Sequence, residues 1–315
     1  MLVYDVPLRT RFRGLLRRDG MLLRGDAGWA EFSPFWDYDV AESSSWWRAA
    51  REAADEGWPT PVRDLVPVNV TVPAVGPDDA HRIVRAGGCR TAKVKVAERG
   101  QSIADEIARL EAVRDAIGPD GAIRVDANAA WDLETAVERL AVLDRAAGGL
   151  EYAEQPVPTV DDLARLRRRT HVPIAADESI RRAADPLAVA RAHAADIVVL
   201  KVQPLGGVRA CLRLAEQVGL PVVVSSALET SVGLAAGLAL AAALPELPYA
   251  CGLATAQLLA ADVVADPLLP VDGAIPVRRP EPDERLVAAA GADAGLSARW
   301  AERRSAVERH VADRA

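Results

Sequence analysis

Three lysines, Lys93, Lys95 and Lys201, stand in a chain of 315 residues that carries 35 arginines (38 basic residues less the three lysines). Lys93 and Lys95 lie two apart in Cys89-Arg90-Thr91-Ala92-Lys93-Val94-Lys95-Val96, and Lys201 ends Asp196-Ile197-Val198-Val199-Leu200-Lys201. Arginine supplies a fixed positive charge, whereas a lysine ammonium yields its proton when burial or a neighbouring cation lowers its pKa. A lysine inside an apolar strand carries a desolvation penalty, so proton transfer is the function to expect. The structural alternative is an edge strand protected by charge, which suits Lys93 better than the other two.

Other strand-like runs supply carboxylates. Residues two apart on a strand share a face, so Lys93 pairs with Lys95, and Asp126 with both Arg124 and Asn128. The following runs end in Glu154 (Glu151-Tyr152-Ala153-Glu154-Gln155-Pro156) and in Asp177-Glu178. Five successive runs thus end in Lys, Asp, Glu, Asp, Lys. Three carboxylates converging at one place repel unless a cation compensates them. Oxygen ligands without His or Cys select a hard ion, Mg²⁺ or Mn²⁺. Any one of these residues alone reads as a surface charge or a strand-end cap; five in register do not.

These side chains need a frame. From about Val66, β-branched runs alternate with amphipathic Ala/Leu/Arg-rich segments. The runs are Val68–Val72, Arg90–Val96, Ala122–Ala127, Gly149–Glu154, Pro173–Asp177, Asp196–Val202, Pro221–Ser226 and Leu247–Cys251. Between them, helices are expected over stretches such as Ile103–Ile117, Leu133–Ala146, Val160–Thr170, Pro186–Ala194 and Gly207–Val218, with Asp78, Ser102 and Asp132 as N-caps and Gly118, Gly148 and Gly219 as stops. Eight βα-like units predict a parallel barrel with its chemistry at the C-terminal strand ends. No GxGxxG or Walker motif supports an open doubly wound sheet. Residues 1–65 break the rhythm, hold five of the seven tryptophans and include an Asp26–Asp39 loop; the tail from 262 to 315 is Pro-rich, then helical. Both are expected to form a capping domain on a barrel spanning 66–261, and Gly25–Phe35 is a candidate flap over the site.

The net charge of −7 and pI near 5.3 argue against a nucleic-acid partner. Cys89, Cys211 and Cys251 are odd in number and lack metal-ligand spacing, which fits reduced, buried thiols in a cytoplasmic protein. Arg9, Arg11 and Arg13 interrupt any signal-peptide core, and the apolar Val232 to Leu244 stretch is too short to span a bilayer. Oligomeric state is not written in the sequence.

The ordered lysine–carboxylate set from Lys93 to Lys201 resembles the enolase superfamily, in its muconate-lactonizing branch. The resemblance implies a modified (β/α)₇β barrel with an α+β cap. It implies Mg²⁺ (or Mn²⁺) held by Asp126, Glu154 and Asp177, Lys95 as general base and Lys201 on the opposite face. Lys93, Asn128, Glu178 and Arg124 would be outer positions around metal or substrate. The physical logic agrees: a divalent cation stabilises the dianion left when a proton α to a carboxylate is removed, and a lysine near a cation is a better base. For Arg124 two roles stand open. One is a structural ion pair with Glu154 or another interior carboxylate. The other, preferred, is to orient the metal site and help hold the substrate carboxylate.

The two lysines serve dehydration, epimerisation and cycloisomerisation alike. The segment Val224-Ser225-Ser226-Ala227-Leu228-Glu229-Thr230-Ser231-Val232-Gly233, with Ala250-Cys251-Gly252-Leu253-Ala254-Thr255, is similar to the o-succinylbenzoate synthases, and the short chain to their actinobacterial members. Ser225, Ser226 and Gly252 thereby become candidate substrate contacts. The implied reaction is syn dehydration of 2-succinyl-6-hydroxy-2,4-cyclohexadiene-1-carboxylate to 2-succinylbenzoate, a step of menaquinone synthesis. N-acylamino-acid racemases carry related segments and remain an alternative. Dipeptide epimerases carry an Asp-x-Asp that Leu247–Thr255 lacks. A barrel that only binds a ligand is the alternative outside catalysis, favoured by loss of a lysine or carboxylate; none is lost.

Overall fold

A computed structural model describes residues 2–314. Its strands are β1 (Leu2–Phe12), β2 (Leu15–Gly25), β3 (Gly28–Phe32), β4 (Leu65–Pro67), β5 (Val70–Val72), β6 (Thr91–Lys95), β7 (Ala122–Asp126), β8 (Tyr152–Glu154), β9 (Ile174–Ala176), β10 (Ile197–Leu200), β11 (Val222–Val224) and β12 (Ala274–Pro276). Strands β5 to β11 form one parallel sheet in sequence order, the topology that repeated βα units impose. β1–β3 form an antiparallel meander, and β4 pairs with β12.

The sheet closes through two residues. Cys251 bridges to Val68, and Gly252 bridges to Ser225. The Cys251 N–H donates to Pro67 O (2.7 Å) and the Gly252 N–H to Val224 O (2.8 Å). The expected eighth strand, Leu247–Cys251, is thus a pair of bridges rather than a ladder. Pro248 has no N–H to offer one. Of the expected run Val68–Val72, β5 takes Val70–Val72 and Val68 forms the closing bridge, while β4, just before it, pairs with β12 outside the barrel. The stretch expected as an Asp26–Asp39 loop contains β3.

Helix ends follow local chemistry. Ser102 and Asp132 cap Ile103–Ile117 and Leu133–Ala147 with side-chain bonds to the third N–H, and Gly118, Gly148 and Gly219 end their helices. Asp78 is not a cap. Gly76 takes that position, because Pro77 with its locked φ opens the helix Pro77–Gly87. The expected Pro186–Ala194 helix shortens to Ala188–Arg191.

Among the described residues three apolar clusters result, a small one of Tyr152, Ala175, Ile197, Val199 and Val223 from β8–β11 and two large ones. One fills the space between barrel strands and their helices. The other joins β1–β3 to the helices Val40–Arg51 and Ala294–Ala312. There Phe32 meets Trp47 and Trp300 edge-on, at centroid distances of 5.2 and 5.8 Å. Among the described residues no helix is long and apolar enough to cross a membrane.

Candidate active site

Parallel register lines up the reactive groups. Lys95 pairs with Asp126, and Asp126 with Glu154, so three strand ends lie in one row. Asp177 and Lys201 follow directly after β9 and β10. The chain turns sharply after each carboxylate: Asn128 and Gln155 adopt φ of 46° and 38°. Asparagine tolerates that region well, which accounts for its use at 128. Gln155 is buried, and its Oε1 accepts from the N–H groups of Asp177 and Ser179 (3.0 and 3.1 Å), tying the Glu154 and Asp177 turns together.

Lys93 Nζ donates to both oxygens of Glu154 (3.0 and 2.9 Å) and lies 3.2 Å from Asp126 Oδ2. Lys95 Nζ donates to Asp126 Oδ2 (2.6 Å) and Asn128 Oδ1 (2.5 Å). Lys201 Nζ donates to Asp177 Oδ2 (2.6 Å), and Arg181 Nε to Asp177 Oδ1 (2.9 Å). Glu178 sits at the edge, accepting from Asn128 Nδ2 (3.3 Å) and Arg181 Nη2 (2.5 Å).

Burial and charge then divide these groups. Burial lowers Lys95, and the opposing pull of Asp126 does not restore it. Burial also acts against the Lys93 ammonium, but Glu154 and Asp126 overcome it and hold the proton firmly. Burial would raise Asp126, yet Lys95 and Lys93 bring it well below the carboxylate range. Asp177 falls to about 2 because Arg181 and Lys201 outweigh its burial. Glu154 goes the other way: burial first, then the charge of Asp126, push it up to about 7. Of the three, Glu154 is therefore the carboxylate whose charge its surroundings compensate least.

Three carboxylates at neighbouring strand ends, an all-oxygen donor set without His or Cys, fit a divalent cation. Among the described residues no three His, Cys, Asp or Glu side chains are already gathered as an ion cage; lysine and arginine occupy the carboxylate oxygens.

The space enclosed above the carboxylates is about 30 Å³. It is walled by Lys95, Lys201, Asn128, Ser225, Ser226 and Gly252, and roofed by Phe12 and Arg13 from the β1–β2 turn. Ser226 bonds Thr255 Oγ1 (2.6 Å). A Cβ on Gly252 would stand 2.5 Å from Ser225 Oγ and 3.2 Å from its Cβ, so a larger residue here requires the Ser225 side chain to shift. The volume is about that of one water, so a ring-sized substrate requires the Phe12–Arg13 roof to move.

Arg124 does not join this group, which corrects its expected contact with metal and substrate. Two residues earlier on β7, it lies one layer deeper. Its guanidinium bonds Glu151 Oε2 (2.5 Å), Asn69 Oδ1 (3.1 Å) and Ala250 O (2.7 Å), and lies 4.6 Å from the Tyr152 ring centroid. The ion pair is with Glu151, not Glu154. Arg181, Gln155, Phe12 and Arg13 were missed from sequence. Arg181 had a readable signal, since a residue four beyond Asp177 returns to it on one helical turn.

The fold and this site define a member of the enolase superfamily, to which the chain belongs. Residues 77–295 match the family described as Enolase C-terminal domain-like, and residues 3–54 that described as Enolase N-terminal domain-like. Members are typically divalent-metal dependent. Curated relatives bear a narrower name. An o-succinylbenzoate synthase from Thermobifida fusca is 66% identical, over 97% of this chain and 96% of its own length. One from Mycolicibacterium smegmatis is 52% identical, over 96% and 92%. Among solved structures, muconate lactonizing enzyme from Pseudomonas fluorescens complexed with muconolactone has a TM-score of 0.78 at 21% identity, over 92% of this chain and 97% of that one. The 2-chloromuconate cycloisomerase from Rhodococcus opacus gives 0.77 at 23% identity, over 93% and 98%. At those identities the two structures speak to the fold alone.

Proposed function

We propose that this enzyme makes o-succinylbenzoate, acting as a hydro-lyase on 2-succinyl-6-hydroxy-2,4-cyclohexadiene-1-carboxylate in menaquinone synthesis. The observation that carries the reading is the 66% identity to a synthase of that name over nearly the whole of both chains. Asp126, Glu154 and Asp177 would hold Mg²⁺, or Mn²⁺ in its place. When bound, the ion neutralises the negative charge that builds on the substrate carboxylate as the α-proton leaves.

The chain's own residues do the rest. Lys95, lowered by burial, takes the α-proton. The ammonium so formed then protonates the departing hydroxyl on the same face, so water leaves and the ring becomes aromatic. Asp126 and Asn128 aim Lys95 through its two hydrogen bonds. Lys201 faces it from the opposite wall, bonded to Asp177, and Lys93 keeps its proton beside Glu154. Ser225, Ser226 and Gly252 would shape the pocket for the succinyl arm. Residues 66–261 would form the catalytic barrel, with 1–65 and 262–315 as the cap. A small carboxylate, without nucleic acid or membrane, is the partner this reading requires, in the cytoplasm.

Supplying the cyclohexadiene substrate and following loss of its absorbance, with and without EDTA, tests the proposal. No turnover in the presence of Mg²⁺ sinks it. The opposition of Lys95 and Lys201 across one cavity also suits racemisation of an N-acylamino acid. Exchange of that substrate's α-proton with deuterated water would reveal it.

A further inference from the structure

Asp177 is gripped from both sides. Lys201 takes Oδ2 and Arg181 takes Oδ1. Arg181 is itself held elsewhere: Nη1 donates to the Tyr38 hydroxyl and Nη2 to Glu178. Its side chain is 2% exposed, a burial that a guanidinium tolerates only with fixed anionic and polar partners. Tyr38 comes from the stretch between β3 and the helix Val40–Arg51, far from Asp177 in sequence. Its ring lies edge-on between Phe35 and Trp46, at 5.9 and 5.8 Å, so its position is set by the core built on β1–β3. Arg182 repeats the link at the surface, bonding Glu42 (2.8 Å) with its guanidinium 4.8 Å over the Tyr38 ring.

We infer that Arg181 is a positioning residue: through it Tyr38 fixes the plane of the Asp177 carboxylate, so that docking of the β1–β3 unit on the barrel sets the affinity of the cation site. The inference rests on the reading of Asp177 as a cation ligand. A free carboxylate on a short turn rotates about its last bond. With Oδ1 committed to Arg181, only Oδ2 is left to turn from Lys201 to a cation. Arg181 thereby selects one-oxygen ligation and removes the rotational freedom that binding would otherwise have to quench. A purely structural ion pair between Arg181 and Asp177 would need no tyrosine from another unit.

The test measures Mn²⁺ affinity by electron paramagnetic resonance of the free ion, with Mg²⁺ as competitor and no substrate. The variants are Tyr38→Phe, Arg181→Lys, Arg181→Met and Asp177→Asn, each checked for melting temperature. Arg181→Met is expected to weaken Mn²⁺ binding by about 10–100-fold, the usual effect of losing a partner that orients a ligand. Arg181→Lys should fall between it and wild type. Tyr38→Phe, which keeps the ring in its cluster, should melt like wild type yet bind Mn²⁺ measurably more weakly. If Asp177→Asn loses Mn²⁺ while Arg181→Met and Tyr38→Phe bind it within twofold of wild type, or more tightly, the inference is overturned and the ligand reading stands. If Asp177→Asn binds Mn²⁺ like wild type, the ligand reading falls and the inference with it. Should Arg181→Met fail to fold, Tyr38→Phe and Arg181→Lys decide alone.

Discussion

Lys93 and Lys95 leave the same face of β6, one pleat apart, yet their ammoniums meet opposite fates. Lys93 is clasped by both oxygens of Glu154 and keeps its proton; Lys95, nearer the cavity, is lowered by burial. The two positions therefore tolerate substitution differently. Lys95→Ala and Lys95→Arg should each cut turnover by at least about 10³-fold, within the span expected for loss of a positioned base. Lys93→Arg preserves the charge beside Glu154 and should keep a measurable fraction of activity. Because the base acts unprotonated, kcat/KM should rise with pH, along a limb lying below the ordinary lysine range. Equal activity in Lys95→Arg and Lys93→Arg would remove the distinction.

The three carboxylates should fail together when the cation is withdrawn. EDTA should abolish turnover, and Asp126→Asn, Glu154→Gln and Asp177→Asn should each weaken Mg²⁺ by at least the roughly 10–100-fold effect of losing an outer partner. Added Mg²⁺ should recover only part of the rate. Full activity in EDTA-treated enzyme would exclude all three as ligands.

Arg124 should behave as a structural residue. Arg124→Met removes the charge that joins Glu151, Asn69 and Ala250 O. Arg124 is buried but Glu151 is partly exposed, so the cost is that of leaving the buried partners Asn69 and Ala250 O unsatisfied, about 1–3 kcal/mol. The melting temperature should fall by several degrees, while kcat and KM stay within about threefold of wild type. A large rise in KM at unchanged melting temperature would return Arg124 to the substrate site.

Glu229 ties stability to pH. It is buried beside Glu31, and burial, then the Glu31 charge, push it up to about 7 despite Arg18. The folded pKa lies above the ordinary 4.5, so its contribution is complete below about pH 4.5 and is lost as pH rises through about 7. The loss amounts to at most roughly 3 kcal/mol. Arg18 Nε donates to Leu228 O (2.8 Å), and Leu228, next to Glu229, lines the cavity. Glu229→Gln should flatten the decline in denaturant stability between pH 5 and 8. Parallel pH profiles for the two proteins would refute the assignment.

Lysine scarcity and the five strand ends made Lys95, Asp126, Glu154, Asp177 and Lys201 legible before any fold was known. Parallel register brings them together because each residue type sat at the end of its run. Pattern also revealed the alternating βα rhythm, since buried parallel strands and amphipathic helices have different periods. What it missed depends on contacts across the chain. Nothing local says whether Arg124 reaches up to the carboxylates or down to Glu151, which lies just before β8. Phe12 and Arg13 come over the site only once β1–β3 docks. Tyr38 looked like one more aromatic in a Trp-rich segment, and its hydroxyl acquires meaning only beside Arg181.

The two-residue closure of the barrel bears on the order of folding. Cys251 meets Val68 across 183 positions (251 less 68), whereas β6 and β7 meet across about thirty. Loop entropy rises with that separation, and the reward at the seam is a handful of hydrogen bonds in place of a full ladder. Ring closure should therefore be the late event in the folding of this enzyme, with the β6–β8 arc already formed in the transition state. A conservative change such as Val68→Ala should accelerate unfolding and leave the folding rate nearly untouched, while Val125→Ala in β7 should slow folding. The two ends of the barrel segment would then be joined last, beside a row of candidate site residues that the early arc has already set in order.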